Sequence, residues 1–222
     1  SSGRLPLDYK ARRFVAAAAR APVERHHGWK EIHPPQLRAQ LLAPLTGGAP
    51  TRDPVDLLRA RWAETAGAEA LARLQDLDLA PYLADDLLTK ADRMSMAHSL
   101  EVRVPFLDPA VAELALALPR AAKVHGARKK VLLREVAAPL LPEAVTRGAK
   151  KGFSIPMAAW LRGDLLPMAR DLLSDGVLGR HGVLDAAPAV RLLDEHVARR
   201  NDHSRPLWGL LCLALWLEGR RP

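Results

Sequence analysis

Apolar residues recur three and four positions apart along most of this chain, and proline supplies most of the punctuation between the runs. Residues 8–20 read as an Arg- and Ala-rich helix that stops before Pro22. Pro34-Pro35 precedes a short helix ending near Ala43. The loop LTGGAPTR then leads to Asp53-Pro54, a capping residue followed by proline at the first helical position. Residues 55–77 read as helical with an interruption around Gly67, and another helix is expected from Pro81 to about Ser99. On that helix Leu83, Leu87, Ala91 and Met94 share one face, at spacings of four, four and three. Glu101-Val102-Arg103-Val104 alternates, and Pro105 forces Val104 to be extended, which predicts a short strand-like link. Asp108-Pro109 repeats the capping signal and opens a helix to about Leu118. Further helices are expected at 128–138, 156–162, 164–174, 188–199 and 206–218. No run has the Val- and Ile-rich character of a buried parallel strand, so the pattern describes a mainly helical object with irregular connections.

Composition narrows the class. The 222 residues are 49% apolar and 26% charged, which is ordinary for a globular chain and excludes a disordered or collagen-like one. The longest apolar run, PLWGLLCLALWL at 206–217, is shorter than the roughly 18 to 20 residues that cross a bilayer, and reads as a buried core helix. Cys212 lies inside that run and is expected to be a small buried hydrophobe; a lone thiol excludes an internal disulfide. The N-terminus, SSGRLPLDYKARRF, has neither an initiator Met nor an apolar leader stretch, so a cytoplasmic location is expected. Thirty-three Lys and Arg against 25 Asp and Glu give +8. The basic residues come in scattered pairs without interleaved aromatics, which argues against nucleic acid.

Three polar clusters carry candidate chemistry. Asp86, Lys90 and Arg93 fall at i, i+4 and i+7 on the expected helix, where a salt-bridge ladder is the simpler reading of the spacing. An extended backbone places Glu101 and Arg103 on one side, as a structural ion pair or as a device that orients a substrate carboxylate. Gly126-Ala127-Arg128-Lys129-Lys130 precedes the apolar Val131-Leu132-Leu133; basic groups at a helix start oppose the macrodipole unless an anion is present, so this arrangement points toward phosphate or toward solvated charge. The eight histidines show no metal-ligand spacing, and Asp85-Asp86 is not a DDxxD motif because position 89 is Thr.

The order of these clusters resembles the synthetase half of glutamine-hydrolysing asparagine synthetases. The resemblance rests on YLADDLLTKADRMSMAHSLEVRVPFLD at 82–108, on Lys130-Val131-Leu132-Leu133-Arg134, and on Lys150-Lys151-Gly152-Phe153-Ser154-Ile155-Pro156 with Trp160. It is strongest over 82–162, while ERHHGW at 24–29 and RPLWGLLCLALWLEG at 205–219 also look like family positions. It implies that residues 1–222 are the helical C-terminal part of an adenine-nucleotide α-hydrolase-like (HUP, ATP-pyrophosphatase-type) α/β domain whose sheet lies upstream. It implies too that aspartate's side-chain carboxylate attacks the α-phosphate of ATP, leaving β-aspartyl-AMP and magnesium pyrophosphate, and that ammonia from glutamine displaces AMP. In that pattern Lys130 corresponds to the lysine that holds the ATP phosphates, and Asp86, Arg93, Glu101 and Arg103 line or support the site.

Parts of the family pattern are missing from these 222 residues. No glutaminase cysteine stands at position one, and neither the SGGxDS pyrophosphate loop nor the acidic DExFGGY segment is found. The expected partners are therefore an upstream nucleotide-binding part with the Mg2+ ligands and a glutaminase part, with a homodimer also allowed. The expected state is a fragment inactive alone. Two rival readings stay open: a β-lactam synthetase or lasso-peptide cyclase that adenylates another carboxylate, and a non-catalytic helical partner of a separate nucleotide-binding half.

Overall fold

The computed structural model describes residues 14–15, 18–47, 49, 52–148 and 155–219. The helix expected over 8–20 lies largely outside them, as does Lys150-Lys151-Gly152-Phe153-Ser154. The chain divides into two compact units: Ser1–Leu57 with Phe153–Pro222, and Leu58–Gly152. Among the described residues no helix is long and apolar enough to cross a membrane.

The first unit is helical. Pro22–Lys30 is a helix beyond those expected: Pro22 ends the segment before it and also occupies the first helical turn, where its missing N–H costs nothing. Pro35–Leu41 and Ala43–Thr46 follow, and the rest of the unit is built from Met157–Trp160, Leu166–Leu172, Ala186–Val197 and Ser204–Glu218. Ala186–Val197 turns Ala186, Ala189, Leu192, Leu193 and His196 inward, and its Asp185 cap accepts from the Ala187 amide at 2.8 Å. Ser204–Glu218 contributes Leu207, Leu210, Leu211 and Ala214 to the same core, which also holds Leu41, Leu161, Leu173 and Leu178. Gly209 lies against Ile32 and His33: a Cβ there would stand 2.7 Å from Ile32 Cδ1 and 2.9 Å from His33 Cε1, so a larger residue would have to displace those side chains.

Cys212 is exposed, contrary to the expectation of a buried thiol. The apolar run has no polar face to mark its orientation, and the core takes Leu210, Leu211 and Ala214, leaving Cys212, Leu215 and Trp216 on the other side. Part of the run is thus core and part is surface.

His196 is fully buried. Its Nε2 lies 3.2 Å from the Ala158 carbonyl, which can only accept, so the proton is on Nε2. Its Nδ1 accepts from the His203 amide at 3.1 Å, and Arg162 donates to the His196 carbonyl at 2.8 Å. Desolvation, and then the nearby Arg162 guanidinium, push its pKa below the ordinary imidazole value, against smaller opposing pulls from the Ala158 carbonyl and then Asp202. His33, whose ring bonds the Pro206 carbonyl at 3.0 Å, is likewise lowered, first by burial.

The second unit is organised differently. Val55–Glu64 and Ala70–Leu77 are separated near Gly67, as expected; Arg73 stacks over the Trp62 ring at 3.6 Å and donates to the Trp62 carbonyl at 2.6 Å across the break. From Ala70 the chain is helical without interruption to Met96, through a π-helical stretch Asp78–Leu88. Pro81 lies inside that stretch rather than at a helix start. A proline has no N–H for the α register and crowds the preceding turn, and the wider π register accommodates both defects. The helix ends with Ser99 at φ 55 and the Leu100 amide bonding the Ser95 carbonyl at 3.0 Å.

Other expectations here need correction. Leu83 and Leu87 are half-buried, but Ala91 and Met94 are exposed, so the predicted apolar face is not a core face. Residues 101–104 form no strand and are exposed. Residues 124–125 and 128–129 pair as a small antiparallel hairpin, and the helix expected from 128 begins at Val131 and ends at Ala137. Pro109–Ala117 is a helix capped as predicted: Asp108 Oδ1 accepts from the Ala110 amide at 3.0 Å and the Val111 amide at 3.4 Å. Within the described residues of this unit only Leu77 and Val131 are buried.

Two outcomes follow for stability. Asp108→Ala leaves two amides of the first helical turn without their acceptor and should cost about 1 kcal/mol, read from the urea midpoint. A histidine with a lowered folded pKa binds fewer protons folded than unfolded, so its contribution is complete above the unfolded value near 6.5 and is lost as pH falls from there toward the folded value. The parent chain should therefore lose stability as pH is lowered through this window, and His196→Asn should flatten the loss, leaving the part due to His33.

Candidate active site

The sequence-predicted residues all lie in the second unit. Asp86 is in the π-helical stretch and Lys90 one turn later; their charged groups are 3.8 Å apart, with both side chains more than half exposed. A pair so exposed is worth a few tenths of a kcal/mol at most, so it does not explain the cluster by stability. Arg93 is exposed on the following turn. Glu101 and Arg103 form an ion pair at 2.7 Å on irregular backbone, with 68% and 82% of their side chains exposed. The pair that sequence alternation placed on one side is formed without a strand.

Lys130 is positioned by its backbone. The strands Val124–His125 and Arg128–Lys129 pair with Val124 opposite Lys129 and His125 opposite Arg128, around a two-residue turn led by Gly126 at φ 58. Lys130 follows at φ 58 and ψ 43, in the left-handed region that a residue with a Cβ enters at a cost. It is held there from the far side as well: its carbonyl accepts from the Arg134 amide at 3.0 Å, and Val131, next in the chain, is buried. Arg134 in turn donates to the Thr146 carbonyl, which ties the helix Val131–Ala137 to the helix Glu143–Thr146. Sequence reasoning missed both that anchor and the left-handed Lys130; the glycine four residues before it was the available signal.

Chemically, the hairpin offers cations to an anion. The sequence from Leu114 to Arg134 contains no carboxylate while supplying Arg120, Lys123, Arg128, Lys129, Lys130 and Arg134. Lys123 is occupied by the Gln75 side chain at 3.0 Å and the Leu116 carbonyl at 2.9 Å, and Arg134 by Thr146. Among the described residues no hydrogen bond or ion pair joins Lys130 to Asp86, Arg93, Glu101 or Arg103. An open surface cleft of about 770 Å³ in the first unit, lined by Asp175, Asp185, Arg191, Asp194, Glu195 and Arg200, contains none of the candidate residues. It is not the candidate site.

The family model described as asparagine synthase matches residues 4–218. This chain belongs to the asparagine synthase family. It is 41% identical over 179 residues to a Mycobacterium tuberculosis protein named "Putative asparagine synthetase (glutamine-hydrolyzing)", covering 80% of this chain and 27% of that protein. A Mycobacterium bovis protein of the same name matches equally. With asparagine synthetase (glutamine-hydrolyzing) 1 of Bacillus subtilis the identity is 30% over 193 residues, 87% of this chain and 30% of the relative. The chain thus spans less than a third of the length of these relatives. No solved structure matches it.

The family match covers the π-helical stretch, the Glu101–Arg103 pair and the hairpin together. Of these, the Lys130 backbone admits a direct check. A glycine there has no Cβ to place, so Lys130→Gly should be more stable than Lys130→Ala by about 1 kcal/mol in urea unfolding. Equal midpoints would show that the left-handed conformation costs nothing.

Proposed function

We propose that this chain forms the helical part of an ATP-dependent asparagine synthetase site, in which the aspartate side-chain carboxylate attacks the α-phosphate of ATP. The new O–P bond forms as the bond to pyrophosphate breaks, and ammonia then displaces AMP from β-aspartyl-AMP to give asparagine. One observation carries the reading: in a chain of the asparagine synthase family, Lys130 stands at the end of a carboxylate-free basic hairpin, in a backbone conformation that lysine does not prefer. Residues held in such conformations by their surroundings concentrate at functional sites.

In this reading the Lys130 ammonium neutralises the charge that develops on pyrophosphate as the bond breaks. An interaction that strengthens in the transition state raises turnover more than it raises ATP affinity. Glu101 fixes Arg103, whose planar fork suits a substrate carboxylate. Asp86 and Arg93 support the same site from the helix, and a π-helical stretch is a frequent feature of functional helices.

The remaining parts of the reading concern the portion of the relatives' length that this chain does not span. A nucleotide-binding sheet of the adenine-nucleotide α-hydrolase type, and a glutaminase that supplies ammonia, are assigned there, with the whole acting in the cytoplasm. Bound magnesium would draw charge from the phosphates. Among the described residues no group of three His, Cys, Asp or Glu is placed to hold a metal, so its ligands are not assigned to them.

In a complete synthetase, Lys130→Ala should reduce aspartate-dependent exchange of pyrophosphate into ATP by about a hundredfold or more, with a smaller change in the KM for ATP. Exchange within a few-fold of the parent would remove Lys130 from the chemistry and with it this reading.

A further inference from the structure

The start of the helix Ser204–Glu218 is fastened by two histidines that stand in different relations to their protons. His33 donates from Nε2 to the Pro206 carbonyl at 3.0 Å, a bond that an imidazole makes whether neutral or charged. His196 does the same from Nε2 to the Ala158 carbonyl, but its Nδ1 accepts the His203 amide at 3.1 Å, a bond that only the neutral ring can make. Arg162 Nη2 lies 3.3 Å from the same Nδ1, so a proton placed there faces two donors. An alternative partner is already in place. Asp202 Oδ1 is 3.6 Å from Nδ1 and meanwhile accepts the Ser204 amide at 3.0 Å. A proton on Nδ1 therefore removes the acceptor of one amide and draws away that of the next. The turn leading into them carries a local cost: Arg199 sits at φ 58, in the left-handed region, where the Arg200 amide bonds the Glu195 carbonyl at 3.0 Å.

We propose that the turn 198–203 is an acid-released latch, in which a proton taken from solvent onto His196 Nδ1 exchanges the bond from the His203 amide for one to the Asp202 carboxylate and frees the start of Ser204–Glu218. The groups facing His196 decide how the latch responds. Burial, and then Arg162 from the turn after Met157–Trp160, resist the charge while the latch is closed, and His203 adds to this; the Ala158 carbonyl and Asp202 favour it. The open turn thus takes up the proton more readily than the closed one, and acid drives opening below the ordinary imidazole value near 6.5. Glu195, beside His196 on its own helix, is occupied by His203 Nε2 at 2.7 Å, and that bond is the main cause of its lowered pKa. Desolvation raises the Asp202 carboxyl, but the Ser204 bonds outweigh it and hold the group below its ordinary value, so both carboxylates stay ionised while His196 titrates. Release is one-sided, because Nε2 donates to Ala158 in both states and Met157–Trp160 stays anchored. None of these groups lies in the second unit, and the latch is independent of the reaction proposed above.

The test is amide hydrogen exchange, followed by NMR on the 222-residue chain from about pH 7.5 to about pH 5.5 and corrected for intrinsic exchange. The Leu161 and Leu173 amides, bonded to the Met157 and Ala169 carbonyls, report wider unfolding. Relative to them, the His203 and Ser204 amides should lose protection several-fold, up to the roughly tenfold that uptake of one proton allows over this range. Asp202→Asn keeps an oxygen for the Ser204 amide but removes the carboxylate that receives the new bond, so the loss should move to lower pH. His196→Asn keeps an acceptor near the Nδ1 position and cannot titrate, so protection of its His203 amide relative to the references should not change with pH. Equal loss at all four amides would be ordinary acid unfolding and would overturn the proposal. So would a His203 amide that stays protected while the His196 ring nitrogens titrate, or an Asp202→Asn chain that opens at the same pH as its parent.

Discussion

Residues 58–148 have almost nothing of their own in which to bury apolar surface, and the reading of the molecule depends on this constraint. The helix Pro109–Ala117 is apolar nearly throughout, PAVAELALA, yet buries none of its side chains; Leu114 is 64% exposed. Phe106, Leu100, Val136, Leu140 and Val145 are each more than half exposed as well. At about 25 cal/mol per Å² of apolar surface, leaving so many side chains in water forgoes a large part of the drive to fold. Large contiguous apolar exposure marks a surface made to be covered. The first unit contrasts with this, with a core of leucines and alanines around Leu161, Leu173, Leu178 and Leu207.

What holds the second unit in shape is therefore mostly polar and local. Arg73 on Trp62, Lys123 on Gln75 and Arg134 on Thr146 each bind one helix to a neighbour through a long cationic side chain. Several backbone irregularities are found in the same unit, the π-helical stretch with Pro81 and the left-handed Ser99 and Lys130, while the first unit has Arg199 at φ 58. An isolated stable domain has little reason to collect such features. A domain that lends one wall of a phosphate site to a larger assembly has a reason, because the ligand and the covering partner can offset the local costs.

Sequence reasoning reached the features set by neighbours in the chain. The Asp108 cap was legible because an aspartate before Pro109 bonds amides two and three residues on, and the break near Gly67 because glycine weakens a helix. The π-helical stretch was not, since α and π registers share composition and only Pro81 betrayed the difference. Cys212 was misplaced because PLWGLLCLALWL is apolar on every side, so nothing in it says which face the core selects. The hairpin was hidden by its length, two residues a strand, and by basic side chains that read as a helix start. Lys130, Asp86, Arg93, Glu101 and Arg103 are legible from motif order, and the structure puts all five in one unit and pairs Glu101 with Arg103.

Release of pyrophosphate from ATP on addition of aspartate tests most directly the claim that these residues form one wall of an asparagine synthetase site. It should be measured for the purified chain by itself and again with the remaining part of the synthetase supplied separately. The account predicts no aspartate-dependent release by the chain alone and its appearance on mixing, because the described residues offer cations but no group of carboxylates placed to hold a metal. Aspartate-dependent release by the 222 residues alone would contradict the account, since the whole site would then lie within them.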